Sequence, residues 1–161
     1  MSGHKVSQYT YLLKWAFRVY HMGMNSFSPT SKPQTASTQG SSLYGEIARI
    51  EEGYPFRRFE QLAQTLEITQ KQLAETLGIS SSTLSRRRAT RLSASESSRL
   101  YQIQQLLDLA ERCIGDLQDA RRWLRQPNPH LGSVPLELAS TAPGLETVAR
   151  YLQQISDGVY V

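Results

Sequence analysis

The sequence predicts an all-α protein in which a helix-turn-helix head precedes a second, smaller helical domain. Apolar residues recur at helical spacing from Leu43 onward, and glycine or proline follows each run. Residues 69–91 have the pattern of two short helices joined by a tight turn. We expect a leader and linker over 1–42, the head over 43–92, and a long helix plus the second domain over 93–161.

The leader has a composition of its own. Residues 1–25 contain the basic, aromatic-rich stretch YTYLLKWAFRVYHM. It fits an amphipathic helix that contacts a partner, DNA or a membrane surface, or else a poorly ordered leader or upstream sequence before a start at Met22 or Met24. Residues 26–42 are rich in Ser, Thr, Pro and Gln without apolar anchors, which predicts a flexible linker.

Composition excludes several classes of protein. Of the 161 residues, 39% are hydrophobic and 20% charged, as is typical of a soluble globular chain. No apolar run approaches a membrane span, so no membrane partner is expected, and no signal-peptide pattern is present. Cys113 is the one cysteine, so no internal disulfide forms and a cytoplasmic location is expected. The net charge of +4 lies wholly in residues 1–42, so it is no argument for nucleic-acid binding.

Two helices should precede the turn motif. In the first, Ser42 is a candidate N-cap, and Gly53 should end the helix. Its apolar positions are Leu43, Ile47 and Ile50, and those of the second helix are Phe56, Phe59, Leu62, Ala63 and Leu66. We expect both faces to join the core of the head.

The turn motif is specified by local chemistry. Thr69 is a candidate N-cap, Gly78 suits the left-handed position that ends the first helix, and Ser80 or Ser81 can cap the second. Ile79 should pack between the helices and Leu84 should anchor the second, which in such motifs enters the major groove of DNA.

Four arginines and no acidic residue lie between Ser80 and Leu92. Arginine contacts guanine edges and phosphates, and serine or threonine adds short hydrogen bonds. The alternative is a solvated helix end whose arginines lie near the C-terminal dipole. The predicted DNA contacts are Gln70, Ser81, Ser82, Thr83, Ser85, Arg86, Arg87, Arg88 and Arg91.

A long helix should follow the head. Ser93 and Glu96 resemble a capping box, and Gly115 should end the helix. Its apolar stripe should pack on the head or on a second copy, so a homodimer is a natural partner arrangement. The positions of the stripe are Leu100, Ile103, Leu106, Leu107, Ala110, Cys113 and Ile114.

Prolines recur through the C-terminal third of the chain, where they mark the starts and ends of short helices. Asp116 should start a short helix that Pro127 and Pro129 stop, and Pro135 should open a shorter one. Pro143 should open the last helix, with Gly158 as its stop. Its apolar face is Leu145, Val148, Leu152 and Ile155. The apolar tail, residues 158–161, should dock on its own domain or on a partner.

From Leu43 onward the chain resembles the Xre/MbcA/ParS family of antitoxins. The residues that carry the resemblance are Ala120, Trp123, Leu124, Pro127, Asn128, Leu131, Gly132, Pro135, Leu136, Leu138, Gly144, Val148, Ile155 and Gly158. Ser133 departs from the pattern, since the family more often has a second glycine there.

The resemblance implies an Xre/Cro-like head that binds operator DNA and represses its own operon. It further implies a C-terminal domain that binds a cognate RES-type toxin, an enzyme that degrades NAD, and covers its active-site entrance. The implied toxin contacts are Trp123, Asn128, Leu131, Gly132, Leu136, Arg150, Tyr151, Gly158, Val159, Tyr160 and Val161. A core position is the alternative for Trp123, and a plain transcriptional regulator with a C-terminal dimerisation domain is the alternative for the whole chain.

The sequence offers little for catalysis. The histidines are isolated, and no metal-ligand spacing, phosphate loop or nucleophile motif stands out. We therefore expect neither an enzymatic activity nor a cofactor.

Overall fold

The computed structural model describes residues 38–158. These residues form eight α-helices, and their only β pairing is in isolated bridges. The all-α prediction is confirmed. None of these helices is both long and apolar enough to cross a bilayer. The helices are α1 (Thr38–Glu52), α2 (Phe56–Leu66), α3 (Gln70–Leu77), α4 (Ser81–Arg87), α5 (Ala94–Ile114), α6 (Leu117–Arg125), α7 (Pro135–Leu138) and α8 (Ala142–Ser156).

Local capping sets most helix ends, as the sequence predicts. Thr69 Oγ1 accepts from the backbone N–H of Gln72 at 3.1 Å, and the Gln72 side chain accepts from the Thr69 N–H at 2.9 Å. Ser93 and Glu96 repeat the same reciprocal capping box at the start of α5. Gly78, at φ +71°, ends α3 in the left-handed conformation.

The long helix α5 is the centre of the core. It packs against α1 and α3 on the side of the head and against α6 and α8 on the C-terminal side. Most of its apolar stripe is therefore covered within its own chain rather than left for a second copy. Its buried residues are Ser97, Leu100, Ile103, Leu106, Leu107, Leu109 and Ala110.

Helix α1 differs from its prediction in two ways. It begins at Thr38, so Ser42 lies inside the helix and the last residues of the predicted linker are helical. Leu43 and Ile47, assigned to the core, are 55% and 44% exposed. Glu46 faces inward instead, where it accepts from the Tyr54 hydroxyl and forms an ion pair with Arg58 at 2.8 Å. A polar network thus docks this helix. The prediction was wrong because helical spacing alone does not show which face is covered.

The turn between α1 and α2 holds the connection from α4 to α5. Gly53 has φ +83°, and a Cβ there would meet the Leu92 carbonyl oxygen at 2.0 Å, so glycine is required. The Leu92 N–H donates to the Tyr54 carbonyl at 2.9 Å, and the Tyr54 N–H donates to Ser97 Oγ at 2.8 Å. These bonds fix the end of α4 relative to the rest of the head.

The last helix packs through part of its predicted face. Val148 and Leu152 are buried, but Ile155 is exposed, which corrects its assignment to the packed face. The helix begins at Ala142, and Thr141 Oγ1 accepts from the Gly144 N–H at 3.1 Å. Ile155 lies in the last turn, where the other helices no longer cover the stripe.

Candidate nucleic-acid and partner interfaces

The turn motif has the geometry that a recognition helix needs. Ile79 and Leu84 are buried and set the angle between α3 and α4. Ser80 Oγ accepts from the Thr83 N–H at 3.3 Å and donates to Thr83 Oγ1 at 3.0 Å, which caps α4. Thr83 is half-buried, and its hydroxyl and N–H are both bonded to Ser80 Oγ. The predicted contacts Ser81, Ser82, Ser85 and Arg86 are exposed along α4.

The exposed arginines of α4 differ in how they are held. The Arg86 guanidinium has no hydrogen bond or ion pair to any residue in 38–158, although the Arg86 carbonyl accepts from Thr90 Oγ1 at 3.3 Å. Arg88 Nη2 donates to Gln70 Oε1 at 3.0 Å, and Gln70 Nε2 donates to Glu60 Oε1 at 3.3 Å. Arg86 is thus free to move, whereas Arg88 is directed toward the start of α3.

The other two predicted arginines have partners inside the protein. Arg87 is 22% exposed, and its Nε lies 2.7 Å from Glu96 Oε2 at the start of α5. Arg91 Nε donates to the Gly53 carbonyl at 2.7 Å, and its Nη2 lies 3.7 Å from Glu52. The sequence assigned both to DNA, because helical spacing does not show that Glu96 at the start of the next helix and Gly53 in the turn after α1 accept from these arginines. Their geometry is that of residues that position α4.

A second candidate surface is an aromatic stack formed by Trp123, His130 and Tyr151. The Trp123 and Tyr151 ring centroids are 6.2 Å apart with planes at 12°. The His130 and Tyr151 centroids are 5.9 Å apart with planes at 27°. Trp123 and Tyr151 are half-buried and His130 is exposed, so the stack offers ring surface to a partner. Trp123 is therefore half-buried, with part of its ring packed in the domain and part of it accessible.

Asn128 organises the turn that carries His130. Its Oδ1 accepts from the N–H groups of His130 at 2.9 Å and Leu131 at 3.2 Å. Its own N–H donates to the Ser133 carbonyl at 3.0 Å, and its carbonyl accepts from Gly132 at 2.9 Å. The Asn128 side chain is thus committed to the turn, and we assign it a positioning role rather than the free contact that the sequence suggested.

Two family models match the chain. The Antitoxin Xre-like helix-turn-helix domain matches residues 46–105, and the Antitoxin Xre/MbcA/ParS C-terminal toxin-binding domain matches residues 109–158. The chain belongs to the Xre/MbcA/ParS family of antitoxins. It is thus an antitoxin of a toxin–antitoxin system with a helix-turn-helix domain.

Two relatives agree with this assignment. The antitoxin is 27% identical over 132 residues to the "Prs ADP-ribosylating antitoxin" of Sphingobium sp. (strain YBL2), across 74% of this chain and 83% of the relative. It is 32% identical over 68 residues to "Antitoxin Xre" of Pseudomonas putida (strain KT2440), across 42% of this chain and 43% of the relative.

The remaining predicted toxin contacts of the antitoxin differ in accessibility. Leu131 is half-buried, and Gly132 and Gly158 are exposed at positive φ. Arg150 is exposed in an ion pair with Glu146 at 3.2 Å. Leu136 is only 6% exposed, so it supports α7 from inside rather than offering a free side chain. Val159, Tyr160 and Val161 lie outside the described residues.

Sequence reasoning missed His130 as a member of this candidate surface. It treated this histidine as isolated, because only the fold brings the turn of residues 127–134 against α8. The signal in the sequence was its place directly after Asn128 and Pro129, in a turn that Asn128 is well suited to build.

The antitoxin also has a charged junction between its two domains. Glu67, at the end of α2, adopts a left-handed conformation with φ 54°. Its two carboxylate oxygens each lie 2.9 Å from an arginine of α6, Arg121 and Arg125. Arg125 Nη1 also donates to the Glu67 carbonyl at 3.0 Å. The Arg121 hydrogen bond, with Arg125 beside it, holds the pKa of Glu67 below its ordinary value.

No group of three or more His, Cys, Asp or Glu side chains that could hold a metal occurs in the described part of the chain. Cys113 is half-buried on α5, and burial raises the pKa of its thiol. A raised pKa lowers the fraction of reactive thiolate at neutral pH.

Proposed function

We propose that this antitoxin neutralises a RES-type toxin that consumes NAD, and that it binds the operator DNA of its own operon. The observation that carries the proposal is the partly exposed aromatic stack within residues 109–158, the part of the chain that matches the toxin-binding domain. The stack supplies an anchor on the domain expected to bind a toxin, while the head supplies a separate surface for DNA.

The toxin-binding part rests on the chemistry of the stack. Tryptophan and tyrosine anchor protein interfaces, because they bury large areas at a low cost in side-chain entropy. The rings of Trp123 and Tyr151 are already parallel, and Asn128 fixes the turn that brings His130 to them. A rigid surface of this kind loses little freedom on binding. Residues 158–161 would extend the contact and cover the active-site entrance of the toxin.

The DNA-binding part rests on α4. Its exposed hydroxyls and Arg86 match the donors that read base edges in the major groove. Arg88, directed by Gln70, suits a phosphate contact at the edge of the groove. Arg87 and Arg91 would act indirectly, by holding the helix that presents the contacts.

A second candidate for the chemistry of the toxin comes from the name of the Sphingobium relative, which includes the words ADP-ribosylating. Transfer of ADP-ribose to a protein and hydrolysis of NAD both break the same glycosidic bond and release nicotinamide. They differ in the acceptor, which is a protein nucleophile in one case and water in the other. Adding candidate protein acceptors to the toxin and NAD distinguishes the two, because only transfer leaves a covalently modified protein.

We also propose that the antitoxin acts as a homodimer within the toxin–antitoxin complex. Since α5 is covered within its own chain, the surface for a second copy is the outer face of α1, defined by Leu43, Tyr44 and Ile47. These side chains are 55%, 75% and 44% exposed, while the charged Glu46 faces the core. Two-fold pairing of antitoxins would match paired half-sites in the operator. Sedimentation of wild type and of Tyr44→Lys tests this, and a wild-type monomer contradicts it.

Truncation tests the division between the two surfaces. A chain that ends at Asp157 should neutralise the toxin less well and bind DNA as the full chain does. Full neutralisation by this chain would remove the tail from the proposal, and loss of both activities would show that the tail is needed for folding.

A further inference from the structure

We infer that Glu60 is a positioning residue for DNA binding, which acts through Gln70 to fix the direction in which Arg88 presents its guanidinium to a phosphate. This inference rests on the proposed operator binding and deepens it, because it adds a residue that does not itself touch DNA. It is motivated by a chain of two hydrogen bonds that joins α2, α3 and α4.

The chain of hydrogen bonds leads from the interior of the head to its surface. Gln70 Nε2 donates to Glu60 Oε1 at 3.3 Å, and Arg88 Nη2 donates to Gln70 Oε1 at 3.0 Å. Glu60 lies within α2, Gln70 is the first residue of α3, and Arg88 is the C-cap of α4. Glu60 and Gln70 are half-buried, whereas Arg88 is exposed. The chain therefore ends on the surface that α4 presents.

The donors and acceptors of these side chains allow one arrangement. A carboxylate only accepts hydrogen bonds and a guanidinium only donates them, whereas a carboxamide does both through its two ends. With Glu60 on one side and Arg88 on the other, a single orientation of the Gln70 amide satisfies both neighbours. The reversed amide would place its NH₂ group against the guanidinium and its oxygen against the carboxylate. Glu60 thus fixes which end of Gln70 faces Arg88.

This arrangement leaves the charge of Arg88 available to DNA. The neutral Gln70 amide lies between Glu60 and Arg88, and neither of these two residues forms an ion pair within residues 38–158. Arg87 differs, because its guanidinium is paired directly with Glu96. Since Gln70 accepts from one nitrogen of Arg88, the remaining N–H groups can donate to phosphate oxygens. Arg88 is therefore directed without being neutralised.

Two roles of Glu60 predict opposite effects on DNA affinity. A carboxylate that only lies near the DNA-binding surface repels phosphates, so its removal should tighten binding. A carboxylate that positions Arg88 should weaken binding when its acceptor oxygen is lost. Glu60→Ala removes the charge and the acceptor together, whereas Glu60→Gln removes the same charge and keeps an acceptor for Gln70. Comparison of these variants therefore isolates the acceptor.

The test measures the Kd of the full-length antitoxin for a duplex that covers the region upstream of its own reading frame. Glu60→Ala should raise this Kd by about threefold to tenfold, as expected for the loss of one hydrogen-bonded contact. The salt dependence of its affinity should become shallower, toward that of Arg88→Ala. Glu60→Gln should bind as wild type does or more tightly, with equal melting temperatures in both Glu60 variants. Glu51→Gln, which removes an exposed carboxylate from α1, is the control for loss of charge alone and should bind as wild type does.

A double-mutant cycle tests whether Glu60 acts through Arg88. In an Arg88→Ala background, Glu60→Ala should cause no further rise in Kd, because the side chain that it positions is gone. Equal affinities of Glu60→Ala and Glu60→Gln, or a further loss in the Arg88→Ala background, would overturn the positioning role and leave the proposed operator binding intact. Wild type that binds this duplex no better than one of scrambled sequence would refute the operator binding itself, and the positioning role with it.

Discussion

Arg87 and Glu96 form an ion pair, with Nε 2.7 Å from Oε2, that ties the end of α4 to the start of α5. The same Glu96 oxygen accepts from the Ser93 N–H at 2.7 Å, so the pair is continuous with the capping box of α5. Arg87, one of the predicted DNA contacts, thus supports the helix on which its neighbours Arg86 and Arg88 are displayed.

Replacing Arg87 should lower stability, whereas replacing Arg86 should lower the affinity for operator DNA. Arg87→Ala leaves a half-buried carboxylate without its ion pair and should lower the free energy of unfolding by about 1–3 kcal/mol. Arg86→Ala removes an exposed, unpaired side chain and should leave stability unchanged. It should weaken operator binding and reduce the salt dependence of the affinity by about one charge. Urea unfolding and fluorescence anisotropy measure the two effects. Equal stability losses in both variants would contradict the assignment.

Two alanine substitutions for glycine test the packing of the head. Gly53→Ala places a Cβ 2.0 Å from the Leu92 oxygen at φ +83°, and should cost about 3 kcal/mol or more. Gly45→Ala, within α1, meets nothing within 4 Å and should stabilise the helix by about 0.5–1 kcal/mol. Thermal unfolding of both variants measures the difference. A Gly53→Ala protein as stable as wild type would contradict the close approach of Leu92.

The stability of the junction should depend on pH. The hydrogen bond from Arg121, together with Arg125, lowers the pKa of Glu67 from its ordinary value of 4.5. A lowered pKa in the folded state stabilises the fold fully above the unfolded value, and this contribution is lost as the pH falls through the folded pKa. Wild type should therefore be more stable than Glu67→Gln at neutral pH, and the difference should shrink below about pH 4. A difference that stays constant over this range would exclude the carboxylate as its source.

The aromatic stack should dominate toxin binding. Trp123→Ala removes the ring that lies against Tyr151, and should raise the Kd for toxin by about 30-fold or more. Trp123→Phe keeps a ring in place and should lose much less. DNA affinity and melting temperature serve as controls for folding. Unaltered toxin binding in a folded Trp123→Ala protein would remove the stack from the interface.

Local chemistry explains which parts of this fold the sequence could predict. The caps at Thr69 and Ser93 and the stop at Gly78 depend on residues within one helical turn, and all three are confirmed. The prediction of which side of α1 faces the core was wrong, because helical spacing defines an apolar stripe without showing what covers it. Leu43 therefore looked like core, although Glu46 makes the inward contacts.

The candidate sites were harder to predict, because their contacts join distant segments. The stack brings His130 from a turn against Tyr151 on α8, and the Glu96 that binds Arg87 begins another helix. Glu67 gave no signal at all, since a glutamate at a helix end is common and its two arginines lie more than 50 residues away. Sequence could predict an all-α fold with a helix-turn-helix, but the partners of individual side chains required the fold.

The most direct test of the account is the rate of NAD consumption by the purified cognate toxin as this antitoxin is titrated against it. We expect nicotinamide release to fall to background at a fixed molar ratio, and the two proteins to elute as one complex. Undiminished nicotinamide release, with the proteins eluting separately, would contradict the account.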